Sequence, residues 1–214
     1  MKKNISGNNS MLIVKVVLAI GVAVSIISLY VLLSIETPQK PLAGQGTTQG
    51  MADIGGEFQL IDQDGKEFSS KDLKGKLSLI YFGFTYCPDI CPTSLQKLTE
   101  VIDTLDKYKI DVIPVFITID PKRDTSELLK EYLKHFHSKY VALTGTEKQI
   151  KDVAEKFKVF YAKAMEENNN NYMIDHSSFV YLMDKDGQYV KHFYFNTPPQ
   201  DIIDFIRVHS QQTK

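Results

Sequence analysis

Both cysteines of the chain, Cys87 and Cys91, lie in one short stretch, "YFGFTYCPDICPT" (residues 81–93). Two thiols four apart can exchange electrons as a dithiol and a disulfide, hold a soft metal ion, or staple a loop. The staple is the poorest use, because a bridge from Cys87 to Cys91 closes a tiny loop and removes little entropy from the unfolded chain. The spacing C-x-x-x-C also departs from the C-x-x-C of common redox motifs. As thiolates the pair would select Cu(I) or Zn over Mg or Ca, since sulfur is a soft ligand.

Two ligands are few, and the third candidate comes from five histidines. His135 and His137 lie in and just after a charged helical pattern and read as solvated surface. His192 falls in a strand and His209 near the C-terminus, and neither is expected to be a ligand. His176 differs, because it sits in "MIDHSSFVYLMD" just ahead of a strand. From the residues alone, a metal ligand and a turn or core histidine bonded to backbone both remain open for it. Two Asp-rich stretches, "DQDG" and "DKDG", lack the alternating oxygen ligands of a calcium loop of ~12 residues and read as hairpin turns.

These side chains need elements to place them. "FQLIDQDGKEFS" predicts a hairpin turned at Asp64-Gly65. "LSLIYFGF" (77–84) and "DVIPVFITID" (111–120) are apolar runs of buried-strand length. "TSLQKLTEVIDTLDKY" spaces Leu95, Leu98, Val101, Ile102 and Leu105 as a helix does. "DTSELLKEYLKHF" predicts a second helix with Asp124 as its N-cap, and "TEKQIKDVAEKFKV" a third with a Thr146–Gln149 capping box. "HSSFVYLMDKDGQYVKHFYF" reads as a hairpin turned at Asp186-Gly187. "PQDIIDFIRVHS" reads as a last helix opening on a proline. This order predicts an α/β, thioredoxin-like fold with an N-terminal β-hairpin.

The cysteines then fall where the first buried strand hands over to its helix. A helix N-terminus offers unpaired N–H groups and partial positive charge. Cys87 is therefore expected to be more acidic than a free thiol at ~8.5. If Pro88 to Cys91 begins a helical turn, both sulfurs lie on one face. The aromatic residues Tyr81, Phe82, Phe84 and Tyr86 read mainly as core, with a dry wall beside the thiols as the alternative.

The chain has 214 residues and a net charge of -1, so nothing global points to nucleic acid. Residues 1–50 carry four Lys and one Glu, leaving 21 basic and 25 acidic residues in the remainder. The uncharged run "VVLAIGVAVSIISLYVLLSI" (16–35) is long enough to cross a bilayer core as a helix. The reading is a short cytoplasmic N-terminus (1–11), an uncleaved transmembrane anchor (12–35), a flexible linker (36–52) and a folded domain (53–214). Lys2 and Lys3 before the anchor, with Lys15 at the edge of its uncharged run, place the N-terminus in the cytoplasm and the domain outside. A leader without Arg argues against a mitochondrial transit peptide, and so for a bacterial cytoplasmic (inner) membrane, with the domain on its outer, periplasmic side. That compartment is oxidising, so paired thiols there tend towards disulfide. "ENNNN" (167–171) reads as a polar loop insertion.

"YFGFTYCPDICPTSL", "FITIDPKRDT", "LTGT" and "IDHSSFVYLMDKDG" together resemble the Sco/SenC family of membrane-anchored copper proteins. The resemblance covers roughly residues 56–207 and implies a thioredoxin-like fold. It implies copper, as Cu(I) and with an added imidazole also Cu(II), bound by Cys87, Cys91 and His176, with Asp120 nearby. It further implies help in assembling the binuclear copper site of cytochrome c oxidase. The expected partners are that oxidase's copper-bearing subunit, a copper donor, a thiol reductant and the membrane. The main rival is a thiol–disulfide oxidoreductase that reduces a partner's cysteines. It lacks a Trp before Cys87 and a proline in "DHSSF". A peroxidase of the same fold would need a Thr where Phe84 stands.

Overall fold

The computed structural model describes residues 7–34, 54–164 and 172–212, with the side chains of the first segment described for residues 15–30. The linker expected at 36–52 and the Asn-rich loop at 167–171 lie outside the described residues. The chain divides into two units, Met1–Gln49 and Gly50–Lys214.

The first unit contains helix α1 (Gly7–Ser34). Its described side chains after Lys15 carry no charge, and Val16, Leu18, Ile20, Val22, Ile26 and Leu29 are each at least half exposed. Among the described residues no helix is long and apolar enough to cross a membrane.

The second unit holds the whole of the buried apolar cluster. It opens with strands β1 (Gln59–Asp62) and β2 (Glu67–Ser69), paired antiparallel. Gly65 in the turn between them takes a left-handed φ of 77°, which favours glycine. Strand β3 (Leu77–Gly83) is buried along its full length. It pairs in parallel with β4 (Val112–Thr118), and helix α2 (Ile90–Lys107) makes the crossover. A strand with no exposed face is what sequence with an unbroken apolar run builds at the centre of a covered sheet. Helix α3 (Ser126–Leu133) leads to β5 (Val141–Thr144), which pairs in parallel with β4 and antiparallel with β1. Helix α4 (Glu147–Lys156) follows, with the Thr146–Gln149 capping box formed in both directions. Among the described residues, strands β6 (Tyr161–Lys163) and β7 (Ile174–His176) pair only with each other. Strands β8 (Phe179–Met183) and β9 (Tyr189–Tyr194) form the second hairpin, and α5 (Pro199–Gln212) closes the chain.

The main sheet has seven strands in the order β2-β1-β5-β4-β3-β8-β9. Parallel β3, β4 and β5 flanked by antiparallel β8 and β1 is the mixed α/β arrangement predicted from the element order. Helices α2 and α5 pack on each other, α3 lies beside β5 and α4 against β1. Three features depart from expectation. Strand β5 and the small β6–β7 sheet are additions. Helix α2 begins three residues earlier than its apolar spacing suggested, which brings Cys91 into its first turn. The N-cap of α3 is Thr125, whose hydroxyl accepts from the Leu128 N–H, and not Asp124.

Candidate metal centre

The two cysteines sit on either side of a loop-to-helix boundary. Cys87 is in the turn after β3 and is half-buried, whereas Cys91 is in the first turn of α2 and is fully buried. Both are free thiols. The sulfurs converge because the turn folds back: the Cys91 N–H donates to the Cys87 sulfur at 3.3 Å. The shared helical face expected from the spacing is thus replaced by a helix start that wraps one sulfur around the other's backbone.

His176 ends β7, and its Nε2 lies 3.6 Å from the Cys91 sulfur. Its Nδ1 lies 3.1 Å from the Ser177 carbonyl. A carbonyl can only accept, so Nδ1 carries a proton and Nε2 is the nitrogen turned to the sulfurs. A backbone carbonyl behind the ring is the usual way a ligating histidine is held. The structure therefore brings together all three residues singled out from the sequence. Among the described residues no ready-made metal-holding group of three or more His, Cys, Asp or Glu is present, so any ion must draw these donors closer.

The electrostatics split the two thiols. Hydrogen bonding from the Cys91 thiol, and then from His176 and the N–H groups of Asp89 and Cys91, pulls Cys87 down to about 4 in spite of its partial burial. The helix start expected to acidify Cys87 contributes through those two N–H groups, but a neighbouring thiol contributes most. Cys91 is pushed well above the ordinary thiol range by its bond to Cys87 and by burial. The result is one thiolate and one thiol at neutral pH. The Tyr81 hydroxyl donates to the Cys91 sulfur at 3.6 Å. Burial above all holds that phenol above its usual range, so it stays a donor.

Aromatic residues do wall the site, though not all four. Tyr81 and Phe84 are buried and meet the His176 ring edge-on, at 6.3 and 5.9 Å between centroids. Phe82 points elsewhere, towards Phe157 and Tyr181, and is plain core. Tyr86 is exposed. Gly83 is equally a part of the site: a Cβ there would stand 2.9 Å from the Cys91 sulfur and 2.9 Å from the Phe116 ring. A glycine inside a strand pattern signals such a close approach, and this one is in plain view in "YFGF".

Asp120 is buried, and its carboxylate meets Arg123 and the Tyr172 hydroxyl, the latter at 2.6 Å. Its N–H donates to the Thr118 hydroxyl and its carbonyl accepts the Arg123 and Asp124 N–H groups, and none of its described bonds is to the thiols or to His176. The carboxylate that ties the cysteine loop is Asp124 instead. It accepts the Thr85 N–H at 3.0 Å, the Thr85 hydroxyl at 2.5 Å and the Thr118 hydroxyl at 2.6 Å. Its backbone carbonyl takes the Thr144 hydroxyl at 2.8 Å. The other histidines are elsewhere: His137 faces Asp103 and Asp106, His192 bonds Tyr189, and His209 stacks on Phe205.

Known proteins share this chain's sequence and fold. The SCO1/SenC family model matches residues 46–211. A SCO2-like protein of Rickettsia conorii is 57% identical over 197 residues, 91% of this chain and 96% of that one. Arabidopsis thaliana ScoI, solved with copper bound, is 44% identical with a TM-score of 0.71, over 74% of this chain and 99% of that one. BsSco, described as having a disulfide switch and as a member of the Sco family of cytochrome c oxidase assembly proteins, is 29% identical with a TM-score of 0.61, over 76% and 96%. With a family match over most of its length and a relative more than half identical, the chain belongs to the SCO1/SenC family.

Proposed function

We propose that this chain is a membrane-anchored copper chaperone that holds one copper through Cys87, Cys91 and His176 and serves assembly of the binuclear copper site of cytochrome c oxidase. The observation that carries the reading is the meeting of His176 Nε2 with the Cys91 sulfur at 3.6 Å, beside a Cys87 sulfur already favoured as thiolate. The donor set fits copper. Two sulfurs and an imidazole suit Cu(I), and the imidazole makes Cu(II) tolerable. Two cysteine ligands and one histidine leave a position open to a ligand of the receiving subunit, as transfer by exchange requires. The copper-bound ScoI relative and the oxidase-assembly description of BsSco agree with this reading. Asp120 supports the site at one remove, through Arg123.

The anchor belongs to the proposal as well. A helix that exposes apolar side chains along its described length needs a cover, and lipid is the cover suggested by the uncharged run at 16–35. The domain then stands on the outer, periplasmic face of a bacterial inner membrane, where a copper donor and a thiol reductant serve it. Protease added to intact spheroplasts should remove the domain and leave the N-terminus; a protected domain would reverse this topology.

Titration of the reduced domain (53–214) with Cu(I) against a competing chelator tests the centre. The wild type should take one tight equivalent. His176→Ala should bind more weakly with its fold intact, and Cys87→Ser should lose stoichiometric binding. Wild-type affinity in His176→Ala would remove the histidine from the site.

The split thiols also favour a second reading, reduction of a partner's disulfide. The Cys87 thiolate attacks one partner sulfur and breaks its S–S bond, and a partner thiolate leaves. Cys91 then gives its proton to the first released partner thiolate and attacks Cys87, and the second partner thiolate leaves. The chain keeps the Cys87–Cys91 disulfide, and two electrons have passed to the partner. Disulfide exchange far faster than that of a small thiol, and unchanged in His176→Ala, would favour this role over copper delivery.

A further inference from the structure

The thiols and the histidine stand on different frameworks. Cys87 and Cys91 follow β3, an inner strand of the seven-stranded sheet, whereas His176 ends β7, which among the described residues pairs with β6 alone. Ser177 and Ser178 link His176 to β8, which pairs with β3 at Tyr81 and Val180, so the main sheet holds the histidine end of the Tyr172–His176 arm. Among the described residues no ladder ties its other end, at Tyr172, to that sheet, and side chains hold it there. Arg123 bridges the Tyr172 end of the arm and the cysteine loop. The Arg123 guanidinium lies over the Tyr172 ring at 3.7 Å from its centroid and over the Tyr86 ring at 4.6 Å. Tyr86 is the residue before Cys87, and Tyr172 stands four before His176. Arg123 is itself anchored, since its Nε donates to the Asp120 carboxylate. The same carboxylate accepts the Tyr172 hydroxyl at 2.6 Å, so the ring is held at both its face and its edge. Asp120 is fixed in turn, with its N–H donating to the Thr118 hydroxyl at the end of β4 at 2.9 Å.

We propose that Arg123 is a positioning residue for the metal centre: it clamps the Tyr172–His176 arm onto the Tyr86–Cys87 loop and so sets where the imidazole meets the two sulfurs. A guanidinium suits the task because it is flat and permanently charged. It stacks on aromatic faces while its edge donates to a carboxylate, and a lysine ammonium cannot do both. This also gives the Asp120 carboxylate a role: it aligns the arginine and the tyrosine without approaching the metal. The inference rests on the three-ligand copper reading above.

The test is a double-mutant cycle in the reduced domain (53–214), which carries the buried apolar cluster of the described residues and is about as long as the 74% of this chain that matches 99% of the solved ScoI chain. Cu(I) affinity is measured for the wild type, Arg123→Met, Tyr172→Ala, His176→Ala and the pairwise combinations with His176→Ala. Arg123→Met and Tyr172→Ala should each weaken Cu(I) by about 10-fold or more, the size typical when a ligand loses its support. In the His176→Ala background the same changes should add nothing, because there is no imidazole left to position. Arg123→Lys should recover little, since the charge returns but the stack does not. The Cu(II) adduct adds a second readout: its thiolate-to-copper absorption in Arg123→Met should shift towards that of His176→Ala. Affinity and spectrum unchanged in both Arg123→Met and Tyr172→Ala would overturn the clamp, as would a loss that persists in full without His176. If His176→Ala itself binds as the wild type does, it is the three-ligand reading that fails, and the cycle shows which of the two has fallen.

Discussion

Asp124 and Thr85 are 39 residues apart in sequence, and Asp124 accepts both the backbone N–H and the hydroxyl of Thr85. Thr85 stands two residues ahead of Cys87, so this pair fixes where the cysteine loop leaves the sheet. Asp124 is fully buried and also receives Thr118. Replacing it with Ala strands three donors in the interior. Leaving buried donors unmade costs more than the net worth of the bonds. Asp124→Ala should lose about 2–3 kcal/mol of stability and loosen the loop, seen as a lower urea midpoint and faster amide exchange at residues 85–91. An unchanged midpoint would show that the loop is held by something else.

The same carboxylate sets a pH dependence. Burial raises it above its ordinary range, against the hydroxyls and N–H that favour the anion. Ionising it therefore costs more in the folded chain than in the unfolded one. The advantage of keeping it protonated is complete below the unfolded value of ~3.9 and is lost as pH rises through the higher folded value. The stability of the wild type relative to Asp124→Asn should fall as pH climbs out of the ordinary carboxylate range. A difference that stays flat with pH, or rises, would contradict a raised carboxyl.

Much of this centre can be read from the residues. The handover from "LSLIYFGF" to a helix puts Cys87 and Cys91 at a strand's end, whereas the residues single out His176 among the histidines without deciding between a ligand and a backbone-bonded ring, and its ligand role comes from the family resemblance. Asp124 is harder to see. By type it caps a helix as well as Thr125 does, and only burial beneath Thr85 and Thr118 decides between them. Strand β5 has four residues, too few to show a period, and owes its conformation to neighbours on both sides. Arg123 and Tyr172 belong to segments far apart in the chain, and nothing local tells that one stacks on the other. Gly83 did carry a local signal, a glycine within a buried strand.

Gly83 yields a prediction from packing alone. An added methyl would meet the Cys91 sulfur and the Phe116 ring at 2.9 Å each, closer than real contacts allow. Overpacking of this kind costs about 1–3 kcal/mol. In Gly83→Ala the sulfur must move, since the strand is paired on both sides. Thermal stability and Cu(I) affinity should fall together. A stable variant with unaltered affinity would mean that the helix start can shift to absorb the methyl.

The acidity of Cys87 leans chiefly on one neighbour, the Cys91 thiol. Iodoacetamide should thus modify Cys87 of the wild type at a rate almost independent of pH from about 6 upward, because the thiolate is already formed near 4. Buried and protonated, Cys91 should stay unreacted. Cys91→Ala removes the donor, and the midpoint of the rate profile should move up towards ~8.5. A midpoint that stays low in that variant would assign the effect to the N–H groups at the helix start and to His176.

The remaining histidines offer the sharpest control on the proposed copper site. His192 lies among the Phe179, Tyr181 and Tyr194 rings, and its Nδ1 is 2.6 Å from the Tyr189 hydroxyl. His137 accepts the Lys139 N–H at Nδ1 and turns Nε2 to Asp103 and Asp106. Both are bonded side chains with local tasks. His192→Ala should cost about 1–2 kcal/mol of stability through lost ring packing and one hydrogen bond, and His137→Ala should cost less. Neither should change Cu(I) affinity by more than about twofold, a difference below ~0.5 kcal/mol. His176→Ala should instead lose affinity, at a stability cost of about the same size as that of His192→Ala, because its ring meets Tyr81 and Phe84 edge-on, its Nδ1 donates to the Ser177 carbonyl and its Nε2 faces the Cys91 sulfur. Should His192→Ala weaken copper as much as His176→Ala does, then ring packing at the edge hairpin, and not ligation by Nε2, governs the site.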